Sequence, residues 1–223
     1  MAAANPWGLV FQAAGSRRQR ATRKTAPLAI PVLSIDAAEG CGAALVTPKA
    51  PPSNLPRLAR VWTWKHSSYE RWMWRCVAVM REAVALCAEL DLPTPLVAVE
   101  VTSGASRYDK NNPEQPMMQG LGRRQGLAVA AWAVVRTMPD PAAPAAPLPR
   151  RTRVARLVRQ SWWVDVLDLP AGKTDGGSHR LDEAATHLDG AATHLSSLSS
   201  PLNIDAAESA LMGAAVSLHG GVP

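Results

Sequence analysis

Short apolar runs alternate along this chain with longer stretches in which apolar residues recur at helical spacing. "LAIPVLSID", residues 28–36, predicts a strand ending at Asp36. "CGAALVT", residues 41–47, predicts a second strand, reached through a tight turn at Gly40. The prolines of "PKAPPSNLP", residues 48–56, argue against a central strand and mark a loop. Over residues 67–90, Trp72, Cys76, Val79, Ala83, Leu86 and Leu90 form one apolar stripe, the signature of a helix. Ser67 and Glu70 fit a capping box at its start. Trp72 then falls in the core and Trp74 on the surface.

"PTPLVAVEV", residues 93–101, follows as a buried strand carrying one charge, Glu100, near its end. A second helix is predicted over residues 117–136, then a proline-rich connector at 138–149. "RTRVARLVRQSWWVDVLDLP", residues 151–170, predicts one or two strands, with Trp162 and Trp163 on opposite sides of a strand, one toward the core and one toward a partner. Residues 179–195 return to a helical pattern, and "AATHL" occurs twice there. The repeat places His187 and His194 two turns apart on one face, which reads as a partly exposed helix face ahead of a metal site. The last helix is predicted over 203–218, before the stop signal "HGG". Strands thus alternate with helices, which points to an α/β sheet covered by helices.

The chain has 223 residues, 47% of them hydrophobic, enough for one domain with a core. Its three cysteines form no CxxC pair, which argues against a zinc ribbon. Cys76 and Cys87 lie about three turns apart on one predicted helix, too far to bond to each other, so a reducing compartment is the simpler reading. The longest apolar run, near residues 126–135, is about half the length that crosses a bilayer.

The net charge of +6 is unevenly spread. Residues 1–65 hold nine Lys or Arg and two acids, whereas residues 181–223 hold five acids and neither Lys nor Arg. The basic part points to a polyanion such as nucleic acid. The acidic part reads either as a solvated segment or as a set that holds a cation against phosphate. Residues 1–28 read as a disordered basic arm ahead of a single domain at 29–223. The arm suits contact with nucleic acid; an organellar transit peptide is the alternative.

Compared by position, the acids suggest one constellation. Asp36 ends the first strand and Glu100 a later one. Asp205 and Glu208 open the last helix at i and i+3 and share a face. Strands parallel at Asp36 and Glu100 would aim both at one edge. Four converging carboxylates require cations between them, and hard oxygen donors favour Mg²⁺ or Mn²⁺. The pentapeptide "IDAAE", at 35–39 and 204–208, supplies Asp36 from a strand end and the Asp205–Glu208 pair from a helix. Nothing around the copies matches, so it is not an internal repeat.

At these residues the sequence resembles the RuvC-type Holliday junction resolvases of the ribonuclease H-like superfamily, as a divergent phage-like or bacterial member. "VLSIDAAEGCGAALV" is similar to their first hairpin, with Gly42 at the family's glycine. "LVAVEV" is similar to their second catalytic strand, "QGLGRRQGLAVAAWAVV" to the following helix with Gly126, and "DAAESALMGAAVSLH" to the closing helix. The resemblance spans roughly residues 30–220. It implies a ribonuclease H-like mixed central sheet flanked by helices. It also implies a homodimeric endonuclease that cuts four-way DNA junctions symmetrically with two Mg²⁺ or Mn²⁺ ions, and a cytoplasmic, nucleoid-associated protein. Asp36, Glu100, Asp205 and Glu208 would be its catalytic and metal-binding acids. Arg107, Lys110, Arg123, Arg124 and Lys173 would contact DNA.

Three features depart from the family pattern. Glu208 stands where Asp is usual, the distance from Glu100 to Asp205 is lengthened, and the basic arm is extra. Flaps, other branched DNA or RNA–DNA hybrids are alternative substrates. A non-catalytic DNA-binding scaffold is the alternative from another class.

Overall fold

The structure is a computed structural model that describes residues 27–38, 40–49, 51–101, 115–137, 155–170, 179–200 and 202–219. Most of the basic arm and the proline-rich connector at 138–149 lie outside the described residues, as do Arg107, Lys110 and Lys173. Leu28, at the end of the arm, already joins the fold: its amide donates to the Ser217 carbonyl at 2.7 Å.

Among the described residues, five strands and six helices follow one another as β1 (Val32–Asp36), β2 (Gly40–Thr47), β3 (Arg57–Lys65), α1 (Tyr69–Glu89), β4 (Leu96–Val101), α2 (Gln115–Thr137), β5 (Ala155–Arg159), α3 (Gln160–Val166), α4 (His179–His187), α5 (Ala191–Ser196) and α6 (Leu202–Leu218). The strands form one sheet in the order β3-β2-β1-β4-β5. The first three pair antiparallel, while β1 with β4 and β4 with β5 pair parallel. This is the expected mixed central sheet flanked by helices.

Strand parity divides the core into two layers. Leu33, Ile35, Val97 and Val99 face α1 and α2, where Trp72, Cys76, Met80 and Trp132 pack. Val32, Leu96 and Ala98 face the opposite layer, built around α6, with α3, α4 and α5 packed about it. Helix α6 is buried continuously from Ala206 to Ser217, as expected of a helix apolar on every side. Its alanines and Gly213 let it lie close against the sheet.

Several elements differ from expectation. Strand β3 was not expected, and a bulge explains why. Leu45 pairs with Arg60 but Val46 pairs with Leu58, so Ala59 is the extra residue. The bulge reverses the parity of β3: Leu58 enters the α6 layer, while Trp62 and Trp64 enter the α1 layer. A single period-2 pattern therefore never appears in the sequence. The "SWWVDV" segment is helix α3 rather than a strand, and Trp162 and Trp163 are both buried. Burial of both rings against the α6 layer overrides the strand preference of aromatic and β-branched residues.

Ser68, not Ser67, caps α1, its hydroxyl accepting from the Arg71 amide at 3.3 Å. Trp72 is buried and Trp74 exposed, as expected. The 179–195 stretch is two helices, broken at Gly190, whose φ of 78° ends the first and starts the second. His187 and His194 thus belong to different helices, and His187 lies 3.8 Å from Glu183.

Candidate metal centre

The site starts from strand parity. Asp36 follows Val32 and Ser34 on the α6 side of β1, and Glu100 follows Leu96 and Ala98 on the same side of β4. The parallel register pairs Ser34 with Ala98 and Ile35 with Val99, so Asp36 and Glu100 come next on adjacent strands. Both stand at the C-terminal ends of parallel strands, as the sequence suggested.

Helix α6 brings the other two acids to this edge through an unusually close approach. A Cβ on Gly42 would overlap the Asp205 carbonyl, and one on Gly40 would lie 2.6 Å from the Asp205 carboxylate. One on Gly213 would lie 2.7 Å from Ser34 Oγ and 2.8 Å from Val46. The contact is then locked by buried hydroxyls. Ser209 Oγ accepts from the Asp36 amide at 3.1 Å and donates to the Gly42 carbonyl at 2.7 Å. Ser34 Oγ donates to the Ser209 carbonyl at 2.6 Å, with the Ala44 carbonyl a second acceptor at 3.2 Å.

With α6 seated, one carboxylate oxygen from each of Asp36, Asp205 and Glu208 lies within 4.8 Å of the others. It is the one group of this kind among the described residues. Glu100 is not part of that trio but lies within hydrogen-bond reach of Asp36. Asp36 and Glu208 are buried, Asp205 and Glu100 half-buried. Burial, then the charges of Glu100, Glu208 and Asp205, push the Asp36 carboxyl well above the usual carboxylate range. A buried all-oxygen donor set under mutual repulsion fits a hard divalent cation such as Mg²⁺ or Mn²⁺.

Two further residues stand behind the acids. Trp163 Nε1 donates to Glu100 Oε1 at 3.2 Å. The Arg180 guanidinium stacks over the Trp163 ring at 5.3 Å, and its Nε lies 3.9 Å from Glu208 Oε1. Arg180 is 1% exposed, the most deeply buried charge described.

Among the expected DNA contacts, Arg123 and Arg124 are described. They project from α2 over the Tyr69 ring, at 5.9 and 5.3 Å. Gly120 permits this, since a Cβ there would lie 2.8 Å from the Tyr69 hydroxyl. Gly126, by contrast, has open space around its Cα, so the structure gives it no steric role.

Ser34, Ser209 and Arg180 do not stand out in the sequence, and Trp163, read there as a strand residue facing the core or a partner, instead donates to Glu100. Ser34 and Ser209 flank the two "IDAAE" copies, one before the first and one after the second, and that placement was the available signal. Arg180 gave a weaker one, as the last cation before the acidic C-terminal stretch.

No protein-family model matches the chain, and no curated protein matches it. Among solved structures it is similar to Thermus thermophilus RuvC, with 14% sequence identity and a TM-score of 0.48, over 86% of this chain and 95% of that one. The same values hold for T. thermophilus RuvC in complex with Holliday junction substrate.

Proposed function

We propose that this chain is a divalent-metal-dependent endonuclease that cuts branched DNA, with four-way junctions as its substrate. The observation that carries this reading is the meeting of Asp36, Asp205 and Glu208 within 4.8 Å, with Glu100 on Asp36. The sequence motifs around these four acids support it, as does the basic charge of +6. Two divalent ions bound there would activate water and stabilise the leaving oxygen of a phosphodiester.

In this reading Asp36, Glu100, Asp205 and Glu208 hold the ions. The sheet edge and the N-terminal end of α6 keep the four in fixed relation. Arg123 and Arg124, stacked on Tyr69, present positive charge to the DNA backbone. Arg107, Lys110 and Lys173 are further candidates for backbone contact. A homodimer would offer two sites for a two-fold symmetric junction. Cleavage is expected to leave a 3′-hydroxyl and a 5′-phosphate.

The test uses full-length protein on labelled four-way junctions, flaps and RNA–DNA hybrids, with Mg²⁺ and with Ca²⁺. The expected result is junction cleavage with Mg²⁺, binding without cleavage with Ca²⁺, and binding without cleavage by Asp36→Asn. Unchanged cutting by that variant would remove the site assignment. Cleavage confined to flaps or hybrids would replace the substrate, and binding without metal-dependent cleavage of any substrate would leave a scaffold.

A further inference from the structure

Arg180 and Trp163 form one buried stack that touches two of the four acids. Trp163 belongs to α3, which packs on both β5 and α6, and Arg180 to α4, which packs on α6. Trp163 donates its indole N–H to Glu100 at 3.2 Å. Arg180 lies 5.3 Å over the same indole ring and 3.9 Å from Glu208. Glu100 comes from the sheet and Glu208 from α6, so the stack ties together acids that no single backbone element fixes.

A guanidinium at 1% exposure is costly unless its charge is compensated. Among the described residues, Arg180 Nε and Nη1 have no hydrogen-bond acceptor, so the side chain has donors to spare for the Glu208 carboxylate it faces. The planar fork of an arginine suits a carboxylate and stacks on an aromatic face, which a lysine does not reproduce. Glu208, one methylene longer than Asp, reaches a carboxylate position that Arg180 can engage from behind.

We infer that Trp163 and Arg180 are positioning residues of the metal centre: Trp163 holds Glu100 and Arg180 holds Glu208 in the geometry that receives a divalent cation. This rests on the metal-site reading proposed above. Neither residue contacts the ion. Both act by restricting the carboxylates that do, and loss of such outer partners typically weakens metal affinity about 10–100-fold.

The experiment is calorimetric titration of the metal-free full-length protein with Mn²⁺, comparing wild type with Trp163→Phe, Arg180→Lys and Arg180→Met. Thermal unfolding of each metal-free variant is run in parallel. Trp163→Phe keeps the ring and removes only the N–H, so Mn²⁺ affinity is expected to fall about tenfold while the metal-free melting temperature changes little. Arg180→Lys keeps the charge and loses the fork, and a comparable loss of affinity is expected.

Arg180→Met discriminates two roles of opposite sign. If Arg180 acts only as a nearby positive charge, its removal tightens Mn²⁺ binding; if it positions Glu208, its removal weakens binding. Tighter binding by Arg180→Met, or wild-type affinity in both Trp163→Phe and Arg180→Lys, would overturn the inference. Absence of Mn²⁺ binding by the wild type would instead overturn the metal-site reading itself. Should Arg180→Met fail to fold, Trp163→Phe and Arg180→Lys still decide the question.

Discussion

Gly42 leaves a space in β2 that the Asp205 carbonyl fills, so the backbone of α6 rests directly on the backbone of the sheet. The same contact brings Asp205 and Glu208 to Asp36. Gly42→Ala therefore tests the site through the fold. The new methyl must displace α6, since its obstacle is backbone rather than a flexible side chain. A destabilisation of about 1–3 kcal/mol or more is expected from such overpacking. It should appear as a lower urea midpoint, accompanied by loss of Mn²⁺ binding.

Ser209→Ala removes the hydroxyl between the Asp36 amide and the Gly42 carbonyl. Two buried backbone groups lose a partner, at a cost of about 1–3 kcal/mol each when left unsatisfied. Equilibrium urea unfolding should show the loss with little change in slope. Ser209→Thr preserves the hydroxyl but adds a methyl in a buried position, so it is expected to rescue only partly.

The raised pKa of Asp36 carries a signed prediction for the metal-free protein. As pH rises above the ordinary aspartate value of about 3.9, the unfolded chain releases this proton while the folded chain keeps it. Stability consequently falls with rising pH until the folded pKa is passed, then levels. Asp36→Asn removes that dependence. In EDTA the variant should melt higher than wild type above this window and show a flatter pH profile. Excess Mn²⁺ should raise the melting temperature of the wild type and leave the variant unmoved. A variant less stable than wild type at neutral pH in EDTA would contradict the strain assigned to Asp36.

The cysteines should be silent in the native state. All three are free and buried. Burial pushes the Cys41 and Cys76 thiols well up and that of Cys87 to about 11. Because the thiolate is the reactive species, alkylation by iodoacetamide at pH 8 should be slow, and should complete rapidly in urea. Fast labelling of Cys41 in folded protein would mean that the edge beside Asp36 opens.

Arg124→Gln addresses the DNA face. If Arg124 neutralises one phosphate, the slope of log affinity against log salt should become shallower by about 0.9. Junction binding measured from 50 to 200 mM salt gives that slope. An unchanged slope would confine Arg124 to its stack on Tyr69.

The sequence alone carried the element and the face on which each of the four acids lies, because these depend on local order. Asp36 and Glu100 follow alternating apolar runs whose period of two decides the face, and Asp205 and Glu208 need only the three-residue spacing of a helix. It also carried the strand–helix alternation from which the sheet was expected. Other features depended on contacts between distant segments. The bulge at Ala59 hid β3, because a strand that changes parity has no single period. Helix α3 formed where aromatic and β-branched residues favour a strand, because both tryptophans are buried against the α6 layer.

Tertiary structure decided how the acids are held. Ser34 meets Ser209 across 175 positions. Trp163 meets Glu100 across 63, and Arg180 reaches Glu208 from a different helix. No local pattern encodes such pairs. Each becomes a partner only once α6 is buried between the sheet and the α3–α4 layer, where a polar group left without water must find its complement in the protein.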